Sequence, residues 1–279
     1  MSPIYEHPDP SKAAPGEIVG IYPFTLSAEE SELIGNHFYG ADANTPLLHY
    51  LKFEYFEHIL RSSSLSLKRL DLYEDDLREG LYPEANRSGL SASDAQLATQ
   101  MRTQRDHEAF MQSQEINRRY CYAHCWFGVP REDASMWENY GDQGKGVCVV
   151  SSTHRLRGAI HEDPKFHFEL GKVTYWPDDK PLPSLHSSTV MFRKRPFYEN
   201  ENEMRLLAQV LPEHRPMDAK GYLQDCSERT SIGVTLESLI GGVVRGPKMD
   251  ELSFNRLVEA IHRSVPTAQI FRSIFDLRE

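Results

Sequence analysis

Apolar and polar positions divide this chain into segments of two different periods. Leu47 to Phe53 is a largely apolar run that predicts a strand, after which Phe53, Phe56, Ile59 and Leu60 recur at helical spacing. Ser62, Ser63 and Ser64 are expected to end that helix, and Leu65 and Leu67 alternate with polar neighbours as a short strand does. Tyr120 to Phe127 reads as a central strand and Ala134 to Tyr140 as a helical turn, with Gly141, Gly144 and Gly146 breaking the chain behind it. Val147 to Val150 predicts a short buried strand, Val173 and Tyr175 mark another, and the proline-rich stretch from Pro177 to Ser188 reads as a loop. From Glu201 to Val210 the pattern alternates, so Glu201, Glu203, Arg205 and Leu207 are expected on one face of a strand, and Met204, Leu206, Ala208 and Val210 on the other. Val243 and Val244 precede a Gly246-Pro247 turn; Phe254, Leu257, Val258 and Ile261 then stand at i, i+3, i+4 and i+7, an amphipathic helix with Asp250 as its cap. Ala268 to Phe275 closes the chain as a β-rich run.

These segments predict an N-terminal arm over residues 1–45, with a short helix near Ser27 to Phe38 opened by Ser27 and Glu30. A single α+β domain is expected over 46–279, carrying a polar helical insertion at about 91–119 in which Ser93 and Gln96 form a capping box. Strands do not alternate regularly with helices, which favours a small mixed or split sheet with flanking helices over a doubly wound parallel sheet.

Composition narrows the partners. The hydrophobic content of 39% is enough for a globular core, and the formal charge of -10 opposes a broad, non-specific grip on nucleic acid or an anionic membrane. No apolar run reaches the ~18 residues of a membrane-spanning helix, and residues 1–20 lack the basic and apolar segments of a signal peptide. The expectation is a soluble, cytoplasmic protein. Cys121, Cys125, Cys148 and Cys226 do not form a disulfide framework; Cys121, His124 and Cys125 lack a second ligand pair for zinc, and Cys148 reads as a core residue. No metal site is expected. The basic cluster Arg193, Lys194, Arg195 reads as a solvated surface run.

Four constellations carry candidate chemistry. Glu201 and Glu203 with Arg205 place two carboxylates within about 7 Å on a strand face, where one can hold a proton while the other orients a hydroxyl; spacing alone equally describes an exposed face with a surface ion pair. Met136-Trp137-Glu138-Asn139-Tyr140-Gly141 followed by Gly144-Lys145-Gly146 sets two aromatics three apart, sharing a helical face, beside a glycine-rich loop. Such a set can sandwich a flat ring and offer amides to a phosphate, or simply be core aromatics and a tight turn; it is neither a P-loop nor a dinucleotide fingerprint. His49 and Tyr50 can donate to a ribose and stack, or serve the fold. Asp75, Asp76 and Glu79 can gather a divalent ion or form a solvated loop.

The order of these segments resembles the bacterial domain-of-unknown-function family 2971. The resemblance runs from about Leu47 to the C-terminus and rests on L-x-H-Y, the acidic stretch ending at Glu79-Gly80, M-W-x-x-Y with G-x-G, Lys194-x-x-x-Tyr198-x-x-Glu201-x-Glu203-x-Arg205, and Val243-x-x-Gly246-Pro247. The chain departs from the family where Cys125-Trp126-Phe127 replaces a Cys-Phe-Ser pattern, with Ser135 as a substitute hydroxyl, and where Asp76 replaces the Pro of Asp-Pro. At fold level the layout is similar to ADP-ribosyltransferases. That likeness implies an NAD-consuming transferase or glycohydrolase. Glu203 would hold the nicotinamide ribose, Glu201 would orient an acceptor or water, and His49 would bind the adenosine ribose. Tyr50, Trp137 and Tyr140 would clamp the cofactor, Lys145 or Lys194 would pair with the pyrophosphate, and Arg205 would tune the carboxylates. The acceptor is not readable from the sequence, and a toxin or defence role is consistent with that superfamily. Two other readings stay open: a non-catalytic nucleotide- or partner-binding module, and a metal-dependent hydrolase or nuclease using Asp75, Asp76, Glu79 and the Glu pair.

Overall fold

The computed structural model describes residues 4–5, 38–39, 44–74, 76, 78–87, 104–182 and 190–276. They show a mixed α/β protein whose chain divides into two compact units. The first comprises Met1–Leu65, Trp126–Glu162 and Ile232–Glu279; the second comprises Ser66–Cys125 and Asp163–Ser231.

The first unit is built on a mixed sheet. Ile4–Tyr5 pairs in parallel with Gln269–Arg272, which pairs in parallel with Gly242–Arg245. Gly242–Arg245 is antiparallel to Val147–Ser152, which is antiparallel to Pro46–Leu51. The parallel step from Gly242–Arg245 to Gln269–Arg272 needs a crossover, and the helix Glu251–Ser264 supplies it. That helix follows the expected pattern: Phe254, Leu257 and Ile261 are buried, and the Asp250 side chain accepts from the Ser253 amide. The helix Phe53–Ser62 buries Phe56, Ile59 and Leu60, and ends at Ser63 in the left-handed conformation. Leu48, Tyr50, Phe127, Trp137, Cys148, Val150, Val244 and Phe271 pack into one core, so Cys148 is the core residue it was expected to be.

In the second unit Glu203–Val210 runs antiparallel to Phe166–Lys172 in a continuous ladder from Met204↔Lys172 to Val210↔Phe166. Lys68 and Arg69 pair with Ala123 and Tyr122. Thr174–Tyr175 and Arg193–Lys194 form a separate two-stranded parallel pair. Leu70, Tyr82, Cys121, Ala123, Leu182, Val190, Met191, Phe192 and Leu207 make its core.

Three expectations change. The strand begins at Glu203, because Glu201 ends the 3-10 helix Pro196–Glu201 and Asn202 turns the chain at a positive φ of 40°. Arg193 and Lys194 are buried rather than solvated, since both stand on the parallel pair with their charges met inside. Trp137 and Tyr140 do not share a face: the helix Ala134–Asn139 stops before Tyr140, whose backbone leaves helical geometry, so the indole is buried while the phenol is 43% exposed. The helix Gln104–Asn117 occupies the region of the expected insertion, whereas Ser93 and Gln96 lie outside the described residues. The helix expected near Ser27 also lies outside them, except for Phe38, which stands in a two-residue strand.

Candidate functional site

The second unit gathers charge from two sequence-distant stretches, Glu79 and residues 194–205. On the strand Glu203–Val210, residues i and i+2 share a face, and Arg205 Nε donates to Glu203 Oε1 at 2.7 Å. Arg205 Nη2 donates to Glu79 Oε1, and Nη1 to the Met191 carbonyl at 2.6 Å. From the parallel pair, Lys194 Nζ reaches Glu201 Oε2 at 2.6 Å and Glu203 Oε2 at 3.4 Å. The left-handed turn at Asn202 is what lets Glu201 and Glu203 meet one ammonium, although they belong to different elements. The Tyr198 ring lies 4.7 Å from Lys194 Nζ, and the Glu203 amide donates to Tyr175 Oη at 2.8 Å. Glu203 is 2% exposed and Arg205 0%, so this is no surface ion pair.

Burial at such depth would raise the Glu203 carboxyl; the Arg205 guanidinium and the Lys194 ammonium overcome it and bring it down to about 2. Glu79 goes the other way. Burial raises it, Arg205 opposes only in part, and the Glu203 anion adds to the rise. Two carboxylates on one guanidinium are thereby pushed apart, Glu203 firmly anionic and Glu79 the more easily protonated.

Glu79 belongs to the acidic stretch that from sequence could gather a divalent ion or form a solvated loop. Its neighbour Asp76 pairs with Arg195 Nε at 3.0 Å and accepts from the Arg78 amide at 3.1 Å. Both carboxylates thus face arginines; Asp75 lies outside the described residues. Among the described residues no group of three or more His, Cys, Asp or Glu is placed to hold a metal ion. The four cysteines are free, and burial pushes the Cys121 thiol up to about 12.

The first unit carries the aromatic and glycine-rich candidates. His49 lies 5.1 Å from the Trp126 ring in a tilted stack. Tyr50 meets Trp137 edge to face at 4.9 Å, and the Asp133 amide donates to Tyr50 Oη at 3.0 Å. Burial, followed by the Cys148 thiol, raises Tyr50 far enough to keep it a neutral phenol. This pair packs edge to face in the core and does not clamp a flat ring between its two members. Glu132, which no sequence signal singled out, is also buried here: Oε2 accepts from Trp137 Nε1 at 2.8 Å and from Ser273 Oγ at 2.6 Å, and Oε1 accepts from the Ile274 amide at 3.1 Å.

The glycine loop is closed on itself. The Gly144 and Gly146 amides donate to the Gly141 carbonyl at 3.0 and 2.9 Å, and the Lys145 amide to the Asp142 carbonyl at 3.0 Å. Those amides are therefore not offered to a phosphate. The turn needs three successive positive φ values, 52°, 54° and 86° at Asp142, Gln143 and Gly144. Its carbonyls hold the next segment, because Gly246 donates to Gly146 at 3.0 Å and Lys248 to Gly144 at 2.8 Å. Beside this loop lies a cavity of about 380 Å³. Trp137, Pro247 and Phe275 form its apolar walls, and Glu138, Gln143 and Lys248 its polar edge. Lys248 Nζ is 3.9 Å from Glu138 Oε2.

Of the residues singled out from the sequence, Glu201, Glu203, Lys194 and Arg205 thus meet in the second unit, joined by Glu79. Tyr50 and Trp137 meet in the first unit, where His49 packs on Trp126 and Lys145 is exposed. Residues 136–206 match the family described as protein of unknown function (DUF2971). The match begins in the helix beside the cavity and ends just beyond Arg205, and it bears out the family resemblance over that stretch. No curated protein and no solved structure matches the chain.

Proposed function

We propose that this protein binds a nucleotide in the cavity of the first unit. The observation that carries this reading is the cavity's lining: the Pro247 and Phe275 rings, with the nearly buried Trp137 indole behind them, supply apolar surface, while Lys248 supplies a cation at the rim. A ligand site of this kind is mostly apolar with a few placed polar groups, and the volume lies within the ordinary range of about 300–1,000 Å³. A base lies against the exposed Phe275 ring, Glu138 and Gln143 hydrogen-bond its edge or the sugar hydroxyls, and Lys248 takes the phosphate charge.

A second reading is an NAD-consuming, ADP-ribosyltransferase-like enzyme of unknown acceptor. It is favoured by Glu203, which is held anionic by Arg205 and Lys194 with Glu201 on the same ammonium. A fixed anion of that kind stabilises a developing oxocarbenium ion. In this reading Glu203 holds the ribose and Glu201 serves the acceptor.

One experiment separates them. Wild type, Lys248→Glu and Glu203→Gln are titrated with ATP, NAD and ADP-ribose, followed by thermal shift, and the NAD samples are assayed for free nicotinamide in the presence of cell extract. The binding reading expects a midpoint that rises with ligand concentration, by about 2.7 kcal/mol of stability at a hundred times Kd. It expects Lys248→Glu to weaken binding about tenfold, near 1.4 kcal/mol, and NAD to remain intact. Nicotinamide release that a folded Glu203→Gln variant lacks establishes the enzyme. A wild type that shifts with none of the three ligands sinks the binding reading.

A further inference from the structure

Two walls of the cavity come from stretches of chain far apart in sequence. Phe275 stands in the turn Ser273–Asp276, which follows the strand Gln269–Arg272 and is closed by the Asp276 amide donating to the Ser273 carbonyl at 3.0 Å. Trp137 stands on the other side, on the helix Ala134–Asn139. These two segments share one partner, Glu132, which is 4% exposed. Its Oε2 takes the Trp137 indole N–H and the Ser273 hydroxyl, and its Oε1 takes the Ile274 amide. Ser273 Oγ accepts in turn from the Phe275 amide at 3.1 Å. A second tie fixes the far end of the turn, where Asp276 Oδ2 lies 3.2 Å from Arg245 Nη2.

We infer that Glu132 is the positioning residue of the ligand pocket: its carboxylate clasps the Phe275 wall to the Trp137 wall and so sets the width of the slot that takes the base. The inference rests on the nucleotide reading of that pocket. The chemistry is specific to a carboxylate. The Trp137 indole and the Ile274 amide can only donate and the Ser273 hydroxyl donates here as well, and a carboxylate offers acceptors to all three on its two oxygens. A glutamine has the same shape but one acceptor and one donor. With its oxygen toward Trp137 and Ser273, those two bonds survive, but its amide N–H₂ confronts the Ile274 N–H, which loses its acceptor. With the amide reversed, the Ile274 amide keeps an acceptor and Ser273 Oγ can accept from the N–H₂, but the indole N–H loses its partner. Either way the clasp loses one of its bonds, and a slot that must be organised by the ligand binds it more weakly than one already set.

The test is Glu132→Gln, with hydrogen exchange read at the amides of Ile274 and Phe275 and with ATP and NAD as probes. In the wild type these amides should exchange slowly and slow further when ATP or NAD binds. In Glu132→Gln they should exchange about tenfold faster without ligand, the helix Glu251–Ser264 should exchange as before, and Kd should rise about tenfold. Ser273→Ala, which removes one donor to Glu132 and the acceptor of the Phe275 amide, should act in the same direction and serves if Glu132→Gln does not fold. Wild-type binding with unaltered Kd and exchange in the folded variant overturns the clasp and leaves the pocket reading standing. Absence of ATP and NAD binding by the wild type overturns the pocket reading and this inference with it.

Discussion

At the scale of single residues, Arg205 has the most to lose. Its guanidinium is fully buried and is shared by Glu79, Glu203 and the Met191 carbonyl. Arg205→Ala leaves two buried carboxylates without the guanidinium they share, and breaking a buried pair in this way costs about 3–5 kcal/mol. A urea titration should show it as a lower midpoint at neutral pH. The pH dependence has two parts of opposite sign. Glu203 is depressed from 4.5 to about 2, so its ionised form stabilises the fold above 4.5, and that contribution is lost as pH falls from 4.5 toward 2. Glu79 is raised, so burying its charge opposes folding at neutral pH, and that penalty is relieved as pH falls through its folded value toward 4.5. Stability should therefore hold or rise on mild acidification and drop steeply below 4.5. A folded Glu203→Gln variant whose acid limb is as steep as that of the wild type would assign the drop to other carboxylates. The i, i+2 spacing made the Glu203–Arg205 contact legible, because residues two apart on a strand share a face. Their burial, and the arrival of Glu79 from more than a hundred residues away, were not legible, because no local pattern encodes which strand another segment will cover.

At the scale of elements, period was a good guide wherever one face is apolar. Phe254, Leu257 and Ile261 marked their helix, and Phe56, Ile59 and Leu60 marked theirs. The strand Phe166–Lys172 was passed over although Phe166, Phe168 and Leu170 alternate with polar residues, a signal of the right period. The glycine loop shows the limit of motif reading. Gly144 and Gly146 suggested a phosphate cradle, whereas in the fold they allow backbones to meet: a Cβ on Gly146 would stand 2.2 Å from the Leu51 carbonyl and 2.9 Å from that of Gly141. Both obstacles are main chain and cannot swing aside. Gly146→Ala should therefore destabilise by about 1–3 kcal/mol, as overpacking does, read as a lower thermal midpoint. An unchanged midpoint would mean the loop can open without cost. The same substitution at Gly158, where nothing lies within 4 Å, is the control.

At the scale of the whole molecule, the charge of -10 sets what the surface will hold at a distance. The protein should pass through heparin and DNA columns at physiological salt without delay; retention that falls steeply with salt would reveal a concentrated basic face. Among the described residues no helix is long and apolar enough to cross a membrane. The sequence by itself determined the mixed α/β class, most helices and strands, the cap at Asp250, and the pairing of Glu203 with Arg205, because each depends on periodicity or on neighbours within a few residues. Tertiary structure alone decided that Arg193, Lys194 and Glu203 lie inside, that Glu79 joins them, that Trp137 and Tyr140 part company, and that Glu132 ties Trp137 to the turn carrying Phe275. Each of those facts depends on which distant segment packs where, and burial, which turns an ordinary ion pair or hydrogen bond into a decisive one, is a property of that packing and not of the local chain.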